Sequence, residues 1–382
     1  MTKRKTVNIA TLAFLEEDTF IPGIGGLQRW SRDIAQLLVD RNWEVVIYQK
    51  TSREFSVRYA EHIQVIGIKA PPSFYGNILF SRNLSKVVAS FDPMLFISQE
   101  LMLGSDWSGS LSVNHGIWWD SDFPLIKKLV NKWVQKKIVK DSHIVVCVDT
   151  NYINWCHAEI PGRFDWREKM RYLPNYADTE AFRYRPDNAL NQGPFKIFCP
   201  RRLPDILPEN WDGRGAKLLL EALAILQRSG FPFLAEFAGS GKAKSDVIAY
   251  AERHGFSDKV VCTQYQLDEI SVAYSASDIV VIPTASHEGT SLAAVEAMCS
   301  GCATVVTHIG GLPNLVIDGL NGFMSDLSPQ ALADAIVRAS KSCRDPHWRK
   351  ASANLSDQAF GKAAWEAKLL KCLAAVLEDG DR

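Results

Sequence analysis

The pattern that most limits this chain is an alternation, run through twice, of short apolar segments with helical periodicity. In the first half the apolar segments are Val7–Phe14, Glu44–Tyr48, Ile63–Ile68, Met94–Ser98, Leu111–Asn114 and Ile144–Val148, with helical patterns over Gly26–Asp40 and Leu125–Lys140. Strands that are apolar on both faces and separated by helices predict a parallel sheet covered on both sides. The stretch Pro161–Pro208 is rich in proline and lacks apolar periodicity, as a linker region would. The alternation then resumes, with strands at Phe195–Cys199, Leu234–Ala238, Lys259–Cys262, Ile279–Pro283 and Thr304–Thr307. Helices are expected at Ala216–Ser229, Asp246–His254, Asp268–Ser275, Thr290–Ser300 and Gln330–Ser340, and a final one at Ala359–Leu377. Two such halves predict an α/β chain of two Rossmann-like lobes, their parallel sheets facing across a cleft. The length of 382 residues likewise exceeds what one core usually serves. Residues 1–173 form the expected N-terminal lobe and 174–358 the C-terminal one, with a last helix at 359–382 packing back on the first. Ligands of parallel sheets bind at the carboxyl ends of the strands, which puts the expected site in the cleft.

Composition removes several function classes. Lys+Arg and Asp+Glu both count 43, so there is no global basic field of the kind that holds nucleic acid. The start, Met1-Thr-Lys-Arg-Lys5, looks like a signal-peptide n-region. The apolar stretch behind it holds Asn8 and Thr11 and runs into Glu16-Glu17-Asp18 without a small-residue cleavage site, so it reads as a buried first strand. No run of eighteen apolar residues is present to span a bilayer. Of the eight scattered cysteines only Cys299 and Cys302 have CxxC spacing. A zinc site would need a second pair or clustered histidines, so the pair reads as a helix end turning into a strand. A reducing cytoplasm is the expected compartment.

The segment richest in chemistry is Pro283–Met298, which holds Glu288, Gly289, Thr290, Ser291, Leu292 and Glu296. A buried strand ends at Pro283 and a helix is expected from Thr290. Small residues at 289–291 let the unpaired first-turn N–H groups approach a ligand. The helix dipole adds partial positive charge there, which suits a diphosphate. Glu296 follows Glu288 by about two helical turns, rotated about 80° at 100° per residue. Carboxylates beside a phosphate-binding turn would repel the phosphates on contact. They are suited to accepting hydrogen bonds from neutral hydroxyls, one on a sugar and one on a ribose. The alternative is a first-turn acid plus a solvated glutamate.

On these residues the sequence resembles the retaining glycosyltransferases of family 4, which have the GT-B fold. Glu288 and Glu296 match that family's E-x7-E, with the expected Gly289 after the first acid. The likeness continues through Gly301, Ala303–Val306, Gly310–Pro313 and Asp318–Gly322. Earlier in the chain, Gly25-Gly26 is similar to the family's N-terminal glycine loop and Leu173–Asp178 to its interdomain turn. Arg202-Leu203 with Arg214-Gly215 is similar to its phosphate clamp. The resemblance implies that Glu288 holds the donor-sugar hydroxyls, Glu296 the ribose, and the N–H groups of Thr290, Ser291 and Leu292 the diphosphate. It implies that Arg202 and Arg214 supply positive charge, that Gly25 and Gly26 admit the donor phosphates, and that His115 sits near the reacting sugar. Read by itself, His115 is equally a core or turn histidine with satisfied nitrogens. Four departures stand out. The clamp lysine is Arg214, ten residues (Pro204–Gly213) intervene after Leu203, and Arg201 takes the place of the glycine before Arg202, so either arginine could face the donor. Ser291 also replaces a common glycine.

The resemblance therefore implies a sugar transferase with an acceptor-binding N-terminal lobe and a nucleotide-sugar-binding C-terminal lobe, needing no cofactor and no metal. A nucleotide-sugar 2-epimerase and a non-catalytic nucleotide-sugar-binding protein are the alternatives. Asp120 and Asp122 form a DxD triplet, which reads as a solvated turn or helix cap in place of a metal site. The lysines of Lys127–Lys140 interleave with apolar residues, which makes this helix the candidate for peripheral contact with an anionic membrane or a lipid-linked acceptor. Six of eleven tryptophans fall between 107 and 166 and read mostly as core.

Overall fold

A computed structural model describes residues 4–377 apart from 24, 89–91, 118–123, 161–165, 187–192, 209, 211, 240 and 267–268. The chain divides into two units. Unit 1 is Met1–His115, Trp119–Leu173 and Glu366–Arg382, and unit 2 is Gly116–Trp118 and Pro174–Trp365.

Unit 1 runs β1 (Lys5–Thr11), α1 (Gly26–Val39), β2 (Trp43–Thr51), β3 (Phe55–Ala60), β4 (Ile63–Lys69), α2 (Phe74–Leu84), β5 (Met94–Phe96), β6 (Ser110–Asn114), α3 (Leu125–Asp141), β7 (Ser142–Cys147), α4 (Thr150–Glu159), α5 (Trp166–Lys169) and β8 (Met170–Tyr172). The sheet order is β3-β4-β2-β1-β5-β6-β7-β8. All neighbours are parallel except β3, which returns antiparallel on β4. On one face Ala10, Tyr48, Ile68 and Phe96 pack with Phe80, Leu84, Val134 and Ile138 of α2 and α3. Strand β3 was not expected from the sequence. At the sheet edge its residues alternate between half-buried and exposed, so it lacks the apolar run of an inner strand. The presumed linker Pro161–Pro208 also holds structure, since three-residue β8 pairs with β7.

Unit 2 runs β9 (Phe195–Cys199), α6 (Ala216–Arg228), β10 (Phe233–Ala238), α7 (Lys244–Arg253), β11 (Val260–Thr263), α8 (Ile270–Ser275), β12 (Ile279–Ile282), α9 (Leu292–Cys299), β13 (Ala303–Thr307), β14 (Phe323–Ser325), α10 (Pro329–Ser340) and α11 (Pro346–Phe360), followed by α12 (Lys362–Leu377). The order β11-β10-β9-β12-β13-β14 is parallel throughout. Strand β12, Ile279-Val-Val-Ile282, is wholly buried, and its alternate residues feed two clusters. Ile279 and Val281 join the layer of Leu219, Leu223 and Ile336, while Val280 and Ile282 join that of Val295, Met298 and Leu312. A central strand with helices on both faces needs this two-sided run.

The final helix begins later than the sequence suggested. Phe360 ends α11, its carbonyl accepts from the Ala177 N–H (2.9 Å), and Gly361 leaves the helix at ψ 154. Helix α12 then starts at Lys362, and from Glu366 on it belongs to unit 1. No described helix is long and apolar enough to cross a membrane.

Candidate active site

In unit 2 the strand order reverses between β9 and β12: β10 and β11 lie to one side of β9, β12 to β14 to the other. Two loops leave the carboxyl ends of these strands side by side at such a point, the usual ligand crevice of an open parallel sheet. The loop after β9 carries Arg201 and Arg202; the loop after β12 carries Glu288.

Arg201 and Glu288 form the centre of the crevice. The Arg201 side chain is 8% exposed and that of Glu288 14%. One terminal nitrogen, Nη2, donates to Glu288 Oε2 and to Thr284 Oγ1 (3.1 Å), and the other, Nη1, donates to Ser291 Oγ (3.3 Å). The Thr284 hydroxyl donates to the same Glu288 Oε2 (3.3 Å), which also lies 3.5 Å from Arg214 Nη1. Arg202 is exposed, close enough to Arg214 for their charges to interact. Of the two adjacent arginines, then, Arg201 grips Glu288 and Arg202 faces water. The site arginine that family likeness does not point to is Arg201; its only sequence signal is a bulky cation where a glycine is usual.

Backbone packing holds the loops together. At Gly215, φ is +79 and an added Cβ would fall 1.6 Å from the Pro283 carbonyl oxygen, so only glycine lets this turn lie on the end of β12. The Ala285 N–H donates to Gly213 O (3.2 Å). Despite the long insertion before it, Arg214 is thereby brought to Glu288. Burial, and next the Arg201 guanidinium, lower the Arg214 pKa while Glu288 raises it. With 56% of the side chain exposed, water screens these effects and the guanidinium stays charged. Among the described residues, the charges that act on Arg214 are two further guanidiniums, Arg201 and Arg202, and two carboxylates, Glu288 and Asp212, a local excess of one positive charge with Arg214 itself.

Helix α9 starts at Leu292, two residues later than expected, because Ser291 is extended at φ −68, ψ 127. Ser291 is the N-cap residue, yet its hydroxyl makes no capping bond. Thr290 is buried. Its Oγ1 accepts from the Asn175 N–H (2.8 Å) and its carbonyl from Asn175 Nδ2, which anchors the Leu173–Asp178 turn to this loop. Glu296, one turn into α9, is buried and accepts from the Tyr274 hydroxyl (3.2 Å). Burial first, and then Glu296, push the Tyr274 pKa well up, so the phenol stays a neutral donor.

In unit 1 the order reverses between β1 and β5; Gly25 and Gly26 come after β1, and His115 after β6, the next strand beyond β5. Gly25 is the N-cap of α1 and Gly26 its first residue, again with no side-chain cap. His115 follows β6 directly. Its Nε2–H donates to the Ile97 carbonyl (3.0 Å) and its ring meets Trp30 edge-on at 5.3 Å. This fixes the tautomer and leaves Nδ1 as an acceptor. Crowding by protein lowers its pKa to about 4, with the Ile97 carbonyl opposing. The ring keeps a water-exposed edge, which limits the depression, but it is neutral at pH 7 on either ground.

Cys299 ends α9 and Cys302 precedes β13; both are buried free thiols, and burial pushes Cys302 up to about 12. Asp120 and Asp122 lie outside the described residues, among which no group of three His, Cys, Asp or Glu side chains is arranged to hold a metal. On α3, Val134, Gln135, Ile138 and Val139 are buried, while Leu125, Ile126, Leu129, Val130 and Trp133 are exposed, Ile126 by 76%.

Residues 209–342 match the family described as "Glycosyl transferases group 1". A D-inositol 3-phosphate glycosyltransferase of Segniliparus rotundus is 30% identical over 175 residues, 44% of this chain and 38% of that protein. The chain thus spans well under two thirds of that relative's length. Sucrose-phosphate synthase of Thermosynechococcus elongatus superposes with a TM-score of 0.75 at 16% identity, over 98% of this chain and 100% of that one. HepE of Anabaena, solved in complex with UDP, gives 0.73 at 17% identity, over 97% and 100%. Identities this low speak to fold alone. The chain takes the GT-B class of fold, two parallel-sheet α/β lobes, and within the second lobe carries the sequence pattern of glycosyl transferases group 1.

Proposed function

We propose that this chain is a metal-independent, retaining glycosyltransferase. It moves a sugar from a nucleotide-diphosphate sugar to a saccharide or lipid-linked saccharide in polysaccharide or glycoconjugate assembly. The observation that carries the reading is the crevice between β9 and β12, where Arg201 and Arg214 hold Glu288, with Arg202 near Arg214, beside an uncapped helix start. A diphosphate matches a helix start without a side-chain cap and the positive charge beside it. The UDP bound by HepE, which shares the fold, supports a nucleoside diphosphate here.

In this reading Glu288 accepts from donor-sugar hydroxyls and Glu296 from the ribose. The amides of Thr290, Ser291 and Leu292, with Gly289 giving room, take the diphosphate. Arg202 and Arg214 stabilise the charge that grows on the leaving diphosphate as the sugar–oxygen bond breaks. The acceptor oxygen bonds to the same face of the sugar, and its proton passes to the departing phosphate oxygen. His115 orients sugar or acceptor through Nδ1, and Gly25 and Gly26 offer amides to the donor phosphates. Work at the cytoplasmic face of a membrane, through the Lys127–Lys140 helix, belongs to the same proposal. Its exposed apolar stripe interleaved with lysines is the feature that supports it.

The test is a panel of nucleotide sugars, incubated with and without saccharide acceptors, with free nucleoside diphosphate followed by mass spectrometry. Acceptor-dependent release is expected, and Glu288→Ala is expected to abolish it; because that variant leaves the Arg201 guanidinium buried without its carboxylate, its melting temperature falls, and retention of the fold is checked by circular dichroism. A changed sugar without release would mean isomerisation, and binding without either change a non-catalytic protein. Full release in Glu288→Ala would move the site elsewhere.

A further inference from the structure

We infer that Arg201 is a positioning residue that divides the labour of Glu288 and keeps the start of α9 open. The inference rests on the donor-binding reading above and deepens it. Among the described residues the contacts to the Glu288 carboxylate converge on Oε2: the Arg201 guanidinium, the Thr284 hydroxyl and Arg214 Nη1. Oε1 has no such partner among the described residues. An ionised carboxylate held by one oxygen presents the other as a fixed acceptor, so Oε1 selects a donor sugar with a hydroxyl to give at that position.

The second effect falls on Ser291. A serine at a helix N-cap ordinarily turns its hydroxyl onto an amide of the first turn. Here that hydroxyl accepts from Arg201 Nη1 (3.3 Å) and makes no cap. The amide of Ala293 or Ala294, which a capping serine at 291 would occupy, is thus open to a ligand alongside those of Ser291 and Leu292. One buried side chain therefore sets both the sugar acceptor and the phosphate donors. Its burial also argues for function over stability. The Arg201 Nε is buried without a partner among the described residues, and a buried ion pair costs about as much in desolvation as it returns.

The experiment compares dissociation constants of UDP, GDP and ADP with those of their glucose-bearing forms, in the wild type and in Arg201→Met, Arg201→Lys and Arg202→Ala, together with melting temperatures. The ratio of the two constants reads the sugar's own contribution. In Arg201→Met that ratio is expected to fall to about one, because a misplaced carboxylate offers no fixed acceptor. Arg201→Lys, which retains a donor for Oε2, is expected to recover part of the ratio, and it serves if the methionine variant does not fold. Arg202→Ala is expected to weaken both forms alike and leave the ratio unchanged. A wild-type ratio in a folded Arg201→Met overturns the inference while donor binding stands. Failure of the wild type to bind any of the six compounds overturns the functional reading and this inference with it.

Discussion

The coupling between β13 and the Glu288 loop can be tested at one methyl group. Gly310 has φ +56, and its amide neighbour Gly311 donates to the Glu288 carbonyl at 2.9 Å. A Cβ at Gly310 would stand 2.0 Å from that carbonyl oxygen. Carbon and oxygen seldom approach closer than about 3.3 Å, so Gly310→Ala must push the Glu288 backbone away by about 1 Å. Three costs add: about 1–2 kcal/mol for an L-residue in the left-handed region, about 1 kcal/mol for the hydrogen bond, and the strain of displacement. Gly319→Ala is the control. Gly319 also has positive φ (+80), but an added Cβ meets nothing within 4 Å. It should therefore lose only the first of these, about 1–2 kcal/mol. At about 2–4 °C per kcal/mol for a unit of this size, Gly310→Ala should melt several degrees below Gly319→Ala. A displacement of about 1 Å at a reacting centre costs about 100-fold in rate, so its acceptor-dependent release of nucleoside diphosphate should fall by that order. Gly319→Ala should stay near wild type. Equal melting and equal turnover in the two variants would refute the claim that this backbone contact positions Glu288.

His115 is expected to titrate in an NMR experiment below the ordinary imidazole midpoint and to show the Nε2–H tautomer above its own. At pH 6 an ordinary imidazole is about 75% protonated whereas this one would be mostly neutral, and a midpoint at or above 6.5 would refute the crowding argument. Since the folded state disfavours the charged ring, its contribution to stability is present above pH 6.5 and is lost as pH falls towards 4. Of the eight free cysteines only Cys262 is not buried, so the native protein should react quickly with a thiol reagent at one position at most, and Cys262→Ser should remove that reaction; fast labelling of several thiols would contradict the buried assignments. Leu129→Glu on α3 should cut affinity for anionic vesicles in a sedimentation assay by about tenfold to a hundredfold, since burying a leucine is worth about 1.5–3 kcal/mol. Unchanged binding would remove the exposed stripe from the membrane proposal.

Sequence and structure agree where burial is two-sided and part company where it is not. Strand β9 was legible to the residue, and β12 to within one, because an inner strand must be apolar on both faces. Strand β3 alternates at an edge, and β8 and β14 are three residues long, so none builds a run that periodicity detects. Helix α11 opens on Asp345 as a capping acid and Pro346 in the first turn, a start signal carried by two residues without a strong apolar stripe behind it. The break between α11 and α12 depends on Phe360 giving its carbonyl to Ala177, a contact across more than 180 residues that no local pattern contains.

The site shows the same division more sharply. Spacing along one helix predicted that Glu288 and Glu296 are rotated by about 80°, which presumes that both ride on that helix. Only Glu296 does. Ser291 is extended, Glu288 lies in the loop before it, and the two acids answer to different partners, a guanidinium cluster and a phenol. Their placement is set by the order of strands, because β9 and β12 become neighbours only after the chain has built β10 and β11 on the far side. That crossover is why Arg201 and Glu288, 87 positions apart, share a hydrogen bond while adjacent Arg202 turns to water. A motif can name the carboxylate, but which of two consecutive arginines holds it depends on the side of the β9 loop that packs inward. Arg201 is the inward residue here, buried against Thr284, Glu288 and Ser291, while Arg202 is exposed. The sheet topology thus selects the arginine, the arginine frees the helix start, and the chemistry available at Glu288 follows from both.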